Sequence, residues 1–99
     1  MKMKLIWTKH AIERGYRRIG KDHGMDAIVE KVLKNIDRAI LNNRGKEALV
    51  PFNLDGNWNL AVLIPRNKSG TRCVIKTIYP ISDDKYRRLW KKMPHSKNF

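Results

Sequence analysis

The chain opens with a short apolar cluster, followed by apolar residues at helical spacing. Lys4–Trp7 is a brief apolar segment, which predicts a leading strand. Thr8 suits the N-cap of a helix, because its hydroxyl can accept a hydrogen bond from a free amide of the first turn. From residue 9 to about Ile19, apolar side chains recur as on one face of an amphipathic helix. The pattern predicts a strand that leads directly into a helix.

A wider apolar stripe marks a second helix. Asp26 suits its N-cap, and apolar residues continue on one side through Ile40, while charged residues lie outside the stripe. Asn42–Gly45 then supplies residue types that end helices, since glycine is favoured in the left-handed conformation after the last turn. We therefore expect a second helix that runs from Asp26 to this segment.

After Gly45 the apolar pattern changes from helical to alternating, as in strands. Asp55-Gly56 is a turn signal, and Ser82 suits the N-cap of a closing helix that runs to about Lys92. The predicted strands cover residues 47–53, 58–64 and 71–79. The order β-α-α-β-β-β, with a possible short C-terminal helix, predicts an α+β fold. We expect the helices on one face of a small antiparallel sheet, with the other face partly open.

The length of 99 residues fits a single domain, which we place at residues 1–93, before a flexible basic tail at 94–99. The longest apolar run, Leu60–Ile64, is too short to cross a membrane. The first residues lack the apolar stretch of a signal peptide, so we expect a chain that is complete from its initiator methionine. The single cysteine, Cys73, cannot form an internal disulfide. These features predict a cytoplasmic protein with no membrane partner.

The charge indicates the kind of partner. Lysine and arginine number 22 against 9 acidic residues, for a formal net charge of +13. The first candidate partner is therefore a polyanion, and nucleic acid is the commonest. The common metal-binding and phosphate-loop motifs are missing from the sequence, so we expect no metal and no cofactor. Histidine with arginine, lysine, threonine and tyrosine suits acid–base chemistry on an RNA phosphodiester whose own 2′-hydroxyl is the nucleophile.

The first predicted helix carries the sharpest candidate for this chemistry. His10 and Arg14 are four residues apart and therefore lie on one helix face. An imidazole there can transfer a proton beside a phosphate that the guanidinium holds. The alternative is a solvated basic face on which His10 has no special role. Further candidate RNA-binding cations continue the same side of the helix: Arg17, Arg18 and Lys21.

The last predicted strand carries a second candidate set. Alternation directs Thr77 and Tyr79 to one face, where their hydroxyls can bind phosphate oxygens. It directs Arg72 and Lys76 to the opposite face. The alternative is that threonine and tyrosine serve strand propensity alone. The cations that suit a phosphate backbone around the preceding loop are Arg66, Lys68 and Arg72.

Three segments together resemble a known group of ribonucleases. They are Thr8–Arg14 (TKHAIER), Asp22-His23-Gly24 and, after a long amphipathic helix and a strand meander, Val74–Tyr79 (VIKTIY). In this arrangement the chain resembles the barnase/EndoU/colicin/RelE-like ribonuclease superfamily, and in particular its small phage- and toxin-associated branches. The resemblance implies a metal-independent endoribonuclease. It also implies a toxin or phage effector that acts on tRNA or mRNA and is restrained by an acidic antitoxin or immunity protein.

The resemblance further implies roles for individual residues. His10 would be the general base or acid, and Arg14 the cation that binds phosphate. Thr77 and Tyr79 would orient the scissile phosphate. Arg72 and Lys76, on the opposite face of the strand, would join these two hydroxyl residues only through a bulge or a twisted edge. Otherwise either the cations or the hydroxyl residues have only a structural role. Because superfamily members without catalysis exist, the alternative function is a non-catalytic module that binds nucleic acid or a host protein with the same basic surface.

Overall fold

A mixed sheet with helices on both sides makes up the fold. The computed structural model describes residues 3–19 and 22–93, so the tail predicted at 94–99 lies outside the described chain. The strands are β1 Lys4–Trp7, β2 Ile40–Asn42, β3 Glu47–Leu54, β4 Asn57–Pro65 and β5 Arg72–Pro80. The helices are α1 Lys9–Ala11, α2 Arg17–Ile19, α3 Met25–Lys34 and α4 Asp83–Trp90, with a π-helical segment Ile12–Tyr16 between α1 and α2 and a 3₁₀ turn Ile36–Arg38 after α3. The expected α+β class is confirmed.

The strands form one sheet in the order β1-β5-β4-β3-β2. The strands from β2 to β5 pair antiparallel with their neighbours. β1 instead lies parallel to β5, with Lys4 opposite Arg72 and Trp7 opposite Ile75. The sheet therefore departs from the expected antiparallel arrangement at this edge. Most of the chain separates β1 from β5, so no tight hairpin forces the two strands to run in opposite directions.

The main core lies between one face of the sheet and the helices that precede β2. Phe52, Leu63 and Ile75, from three neighbouring strands, are fully buried there. Ile28 and Val32 of α3 pack into the same cluster and are also fully buried. We call this side of the sheet the helix-covered face. Burial of these large aliphatic and aromatic side chains supplies the main favourable contribution to folding.

The first helical region approaches the sheet most closely at Gly15, inside the π-helical segment. A Cβ atom at this position would lie 2.8 Å from the carbonyl oxygen of Ile78, so only glycine lets the backbone rest against β5. Tyr16 packs edge-on to Trp7, with 5.7 Å between ring centroids, and its hydroxyl donates a 2.6 Å hydrogen bond to the backbone oxygen of His23. These contacts fix the position of the helix over the edge of the sheet.

The second helix is shorter than its apolar stripe predicts. α3 begins after Gly24, which takes the N-cap place expected for Asp26, and it ends at Lys34. Asn35 leaves helical geometry with a φ of −110°. Its side-chain amide donates a 2.9 Å hydrogen bond to the carbonyl of Lys31, which competes with continuation of the helix.

The remainder of the predicted second helix forms the 3₁₀ turn and β2. Ile36 and Ala39 still pack against the core, which explains why the apolar spacing continues beyond the helix. β2 then pairs with β3 around a turn in which Asn43, Arg44 and Gly45 all have positive φ. The residues expected to end a helix therefore form the tip of a hairpin, a position that favours the same residue types.

α4 covers part of the opposite face of the sheet. Ser82 caps it, as predicted, by accepting a 3.1 Å hydrogen bond from the Lys85 amide. The Tyr86 ring stacks on Trp58 of β4 with centroids 3.6 Å apart, and Leu89 is buried nearby. Helices therefore lie on both faces rather than on one, because β4 carries apolar side chains on both of its sides. We call this second side the open face, since a groove remains beside α4.

A β-bulge divides β5 into two halves. Val62 of β4 pairs with Thr77, whereas the next residue of β4 pairs with Ile75, which leaves Lys76 as an extra residue. A bulge shifts the alternation of the strand from that point onward. Ile75 and Ile78 consequently both lie in the core, although they are three positions apart. Lys76 and Thr77 share the open face, where strict alternation predicts opposite faces.

Candidate nucleic-acid interface

Two adjoining cavities on the open face bring together several residues predicted for the site. The first, the His10 cavity, has a volume of about 380 Å³ and is lined by Thr8, His10, Ile64, Arg66, Val74, Lys76 and Thr77. The second, the Glu47 cavity, also measures about 380 Å³. Lys76 and Thr77 line both cavities and therefore form the wall between them. This shared wall exists because the bulge turns two successive residues of β5 toward the same side.

Thr8 positions His10 beside β5. Its hydroxyl donates a 2.7 Å hydrogen bond to the carbonyl of Ile75 and accepts a 3.1 Å hydrogen bond from the amide of Ala11. The threonine therefore caps α1 and ties the start of that helix to the strand at the same time. His10, the second residue of α1, is exposed and lines the cavity beyond the point where β1 stops pairing with β5.

An ion pair joins β3 to the shared wall. Lys76 Nζ lies 2.8 Å from Glu47 Oε2, and the Asn42 side-chain amide donates a 3.3 Å hydrogen bond to Glu47 Oε1. The hydrogen bond from Lys76, together with its charge, holds the pKa of Glu47 below its ordinary value of 4.5. Glu47 is therefore ionised at neutral pH. The Glu47 side chain is 15% exposed and that of Lys76 is 53% exposed, so the ammonium group remains accessible to a ligand.

Tyr79 and α4 extend the basic surface beyond the shared wall. Tyr79 lines the Glu47 cavity, and Lys85 Nζ lies 6.0 Å from the centroid of its ring, within reach of a cation–π interaction. Lys85 also belongs to a neighbouring cavity of about 330 Å³ on α4, together with Arg88 and Lys92. The open face therefore carries cations from the His10 cavity to the far side of α4.

Arg14, Arg17 and Arg18 of the first helical region do not line the His10 cavity. Arg14 is exposed in the π-helical segment, outside the residues that line the His10 cavity. The i→i+5 hydrogen bonding of a π-helix widens the turn and removes the spacing on which the expected pairing rests. Arg17 is exposed on α2, and Arg18 lines a cavity with Asn57 on the helix-covered side of the molecule.

Of the predicted cations around the loop between β4 and β5, only one lines the His10 cavity. Arg66 lines the His10 cavity. Lys68 and Arg72 are exposed around the loop between β4 and β5 and do not line that cavity. Lys21 lies outside the described residues. Of the predicted residues, the groove therefore combines His10, Arg66 and Lys76 with the strand hydroxyls of Thr77 and Tyr79.

Sequence reasoning missed three polar residues of the Glu47 cavity, Asn42, Glu47 and Lys85. No local motif marks them, because they come from β2, β3 and α4 and meet only in the folded sheet. Glu47 lies 29 positions from its partner Lys76. A pairing register for β2 with β3 would have been needed to place Asn42 opposite Glu47.

Comparison with protein-family models, with curated proteins and with solved structures finds no match for this chain. Within residues 3–19 and 22–93, no group of three or more His, Cys, Asp and Glu side chains is arranged to hold a metal ion. Among the helices of the same residues, none has the length and apolar character needed to span a bilayer. The function must therefore be argued from the chemistry of the groove.

Proposed function

We propose that this protein is a metal-independent endoribonuclease that binds RNA on the open face of its sheet. The observation that carries the proposal is the convergence of His10, Lys76 and Thr77 around one cavity. Two cations, Arg66 and Lys76, and the threonines Thr8 and Thr77 border that cavity beside an imidazole. Such a set can bind a phosphate and move a proton, the two operations that internal transfer of an RNA phosphodiester requires.

The cleavage step follows from these groups. The imidazole of His10 takes the proton of the ribose 2′-hydroxyl as the 2′ oxygen forms a bond to phosphorus. The bond from phosphorus to the 5′ oxygen breaks, and the leaving oxygen takes a proton from solvent in the open groove. Arg66 and Lys76 stabilise the negative charge that develops on the phosphoryl oxygens, and the Thr77 hydroxyl donates a hydrogen bond to one of them. The products are a 2′,3′-cyclic phosphate and a free 5′-hydroxyl.

The wider setting belongs to the same proposal. The resemblance of Thr8–Arg14 and Val74–Tyr79 to small toxin-associated ribonucleases supports a toxin or phage effector directed at tRNA or mRNA. The formal net charge of +13 supports restraint by an acidic antitoxin or immunity protein. Cys73 is a buried free thiol, and burial raises its pKa, which fits an unreactive cysteine in the reducing cytoplasm.

The test is cleavage of a labelled RNA by purified protein in the presence of EDTA. Wild-type protein should yield 2′,3′-cyclic phosphate ends, and His10→Ala should lower the cleavage rate by about 10²-fold or more, as expected for loss of a general base. His23→Ala is the matched control, because His23 pairs with Asp55 at 2.8 Å and lines neither cavity.

Two results would contradict the proposal. The first is cleavage that requires a divalent metal ion. The second is equal activity in His10→Ala and His23→Ala, because equal retention would mean that a contaminating nuclease or another residue cleaves the RNA, and equal loss would mean a general effect on folding. Circular dichroism spectra of both variants, compared with that of the wild type, separate these two causes.

A non-catalytic RNA-binding module is the second candidate, favoured by the ion pair between Lys76 and Glu47. A lysine already paired with a carboxylate stabilises less additional negative charge in a transition state than an unpaired one. In this case wild-type protein would bind RNA without cleaving it, and His10→Ala would bind with unchanged affinity. Fluorescence anisotropy with intact RNA, followed by denaturing electrophoresis of the same samples, distinguishes the two functions.

A further inference from the structure

We propose that the Glu47 cavity holds the nucleobase next to the scissile phosphate and favours bases that carry an exocyclic amine over uracil. The inference rests on the proposed function, since it places a base beside the phosphate that the ribose 2′-oxygen would attack with His10 as the general base. It concerns selectivity, which the chemistry of the His10 cavity leaves open. The selected class is adenine, cytosine and guanine, which present an amine as a hydrogen-bond donor.

The lining and volume of the cavity suit the ring of a nucleobase. Leu60, Val62 and Leu89 give it apolar walls from β4 and α4. Tyr79 adds an aromatic ring. A volume of about 380 Å³ falls in the range of small-ligand pockets, in which apolar walls and a few polar groups determine orientation. Aromatic and aliphatic walls bind any of the four bases, so selectivity must come from the polar groups.

Glu47 supplies the selectivity because an ionised carboxylate can only accept hydrogen bonds. Its two oxygens are held by Lys76 and Asn42, and its side chain is 15% exposed, so its position is fixed inside the cavity. Carboxylates accept hydrogen bonds from the exocyclic amine of cytosine in nucleic-acid interfaces. Uracil has a carbonyl oxygen where cytosine has its amine, and an oxygen facing the carboxylate would be repelled. The ring N–H of uracil lies between two carbonyl groups, so a carboxylate that accepts from it meets the same repulsion.

The arrangement of the two cavities connects the base to the cleaved bond. Lys76 and Thr77 line both, so a phosphate bound at the shared wall has the His10 cavity on one side and the Glu47 cavity on the other. A nucleotide whose phosphate contacts Lys76 can therefore place its base beside Glu47. Lys85, at the far side of the Glu47 cavity, is available for the next phosphate of the strand.

The experiment uses oligodeoxynucleotides that contain a single ribonucleotide, because cleavage by 2′-hydroxyl attack is then confined to one bond. The base on each side of that bond is varied in turn among adenine, cytosine, guanine and uracil. At one of the two positions, we expect substrates with adenine, cytosine or guanine to be cleaved about tenfold faster than the substrate with uracil. This factor is the effect of one hydrogen bond to a charged group. Glu47→Gln should abolish the difference, since an amide can donate to a carbonyl of uracil.

Glu30→Gln is the matched control, because Glu30 pairs with Lys34 on the exposed side of α3 and lines neither cavity. Equal cleavage of all four bases at both positions by the wild type would overturn the inference and leave the ribonuclease proposal intact. A base preference that survives in Glu47→Gln would overturn it as well. The wild-type comparison needs no variant, so the inference can be tested even if Glu47→Gln fails to fold.

A binding measurement separates this inference from the proposed function. If no substrate is cleaved, cytidine and uridine 5′-monophosphates are titrated into isotopically labelled protein, and the chemical shifts of the Tyr79 and Lys76 amides are followed. Cytidine monophosphate should bind at least several-fold more tightly and shift these amides. Equal binding of the two nucleotides, or no shift with either, would overturn the inference. Selective binding without cleavage would support it while contradicting the ribonuclease.

Discussion

At the scale of single residues, the contact between Gly15 and β5 is the most sensitive to change. A side chain at this position would meet the carbonyl oxygen of Ile78 at 2.8 Å and its Cβ at 3.0 Å, and neither atom belongs to a flexible side chain. Gly15→Ala should therefore lower the free energy of unfolding by about 1–3 kcal/mol, as overpacking of a well-packed site does. Urea denaturation followed by tryptophan fluorescence measures the loss.

Gly24→Ala is the control for this prediction. A Cβ at Gly24 would meet nothing within 4 Å, and its φ of −73° is accessible to alanine. We expect a loss below about 1 kcal/mol, from poorer capping of α3 alone. Equal losses in the two variants would mean that the close approach at Gly15 is not what limits substitution there.

The residues of the site differ in how far sequence could identify them. His10 and Thr77 could be named as candidates from the sequence, because histidine is the usual proton-transfer group near neutral pH and a strand hydroxyl suits phosphate. Their meeting with Lys76 could not be derived, since a bulge has no signature in the alternation of β5. Glu47 could not be identified either, because its role depends on a partner 29 positions away.

At the scale of elements, Thr8 lies between β1 and α1 and links both of them to β5. Its hydroxyl makes two hydrogen bonds, one to the carbonyl of Ile75 and one from the amide of Ala11. Thr8→Val keeps the shape of the side chain and removes both bonds. We expect the free energy of unfolding to fall by about 1–3 kcal/mol, the combined effect of a lost cap and an unpaired carbonyl. Chemical denaturation measures it.

Thr8→Ser tests the origin of that loss. Serine retains the hydroxyl and both hydrogen bonds, and the methyl group it lacks is worth about 0.8 kcal/mol when buried. We therefore expect Thr8→Ser to be clearly more stable than Thr8→Val. If serine is as destabilising as valine, the methyl group contributes as much to stability as the two hydrogen bonds do, because valine retains a methyl group there and serine retains the hydroxyl.

The elements themselves were largely predictable. β1 matches the apolar segment Lys4–Trp7, and the cap at Ser82 starts α4 as expected. The exception is the second half of the long apolar stripe, where α3 ends at Lys34. Periodicity indicates which residues face the core, and Ile36 and Ala39 face it although neither belongs to an α-helix. It cannot report the conformation that brings them there.

At the scale of the whole molecule, the open face and the helix-covered face should differ in their contribution to RNA binding. Arg66 and Lys85 lie on the open face, and Arg18 lies on the helix-covered side. Single-stranded RNA binding should show a linear dependence of log K on log salt concentration. Arg66→Gln and Lys85→Gln should each make this slope shallower by about 0.7, the value expected for one lost phosphate contact.

Arg18→Gln has the same change in charge and serves as the control. Its slope should match that of the parent protein, because Arg18 lines a cavity away from the groove. The measurement is made by fluorescence anisotropy in the His10→Ala background, so that the RNA stays intact. Equal slopes for all three variants would show that net charge alone, rather than a defined surface, drives the interaction.

At this scale the sequence predicted a class of partner but not a surface. A net charge of +13 indicates a polyanion whatever the fold. Which cations act together depends on the order of the strands and on the side of the sheet that α4 leaves open, and neither follows from local pattern. Arg18 of the first helical region and Arg66 of the loop consequently lie on opposite sides of the sheet.

The bulge at Lys76 divides β5 into two halves, and side chains alternate regularly between the groove and the core within each half. Before it, Val74 faces the groove and Ile75 faces the core; after it, Ile78 faces the core and Tyr79 the groove. Substitutions among the groove residues can therefore change selectivity without disturbing the core. Removal of Lys76 would place Thr77 directly after Ile75 and restore strict alternation, with Ile75 and Ile78 still in the core and Thr77 and Tyr79 still on the groove side. The bulge therefore adds one cation to the groove without changing which residues of β5 build the core.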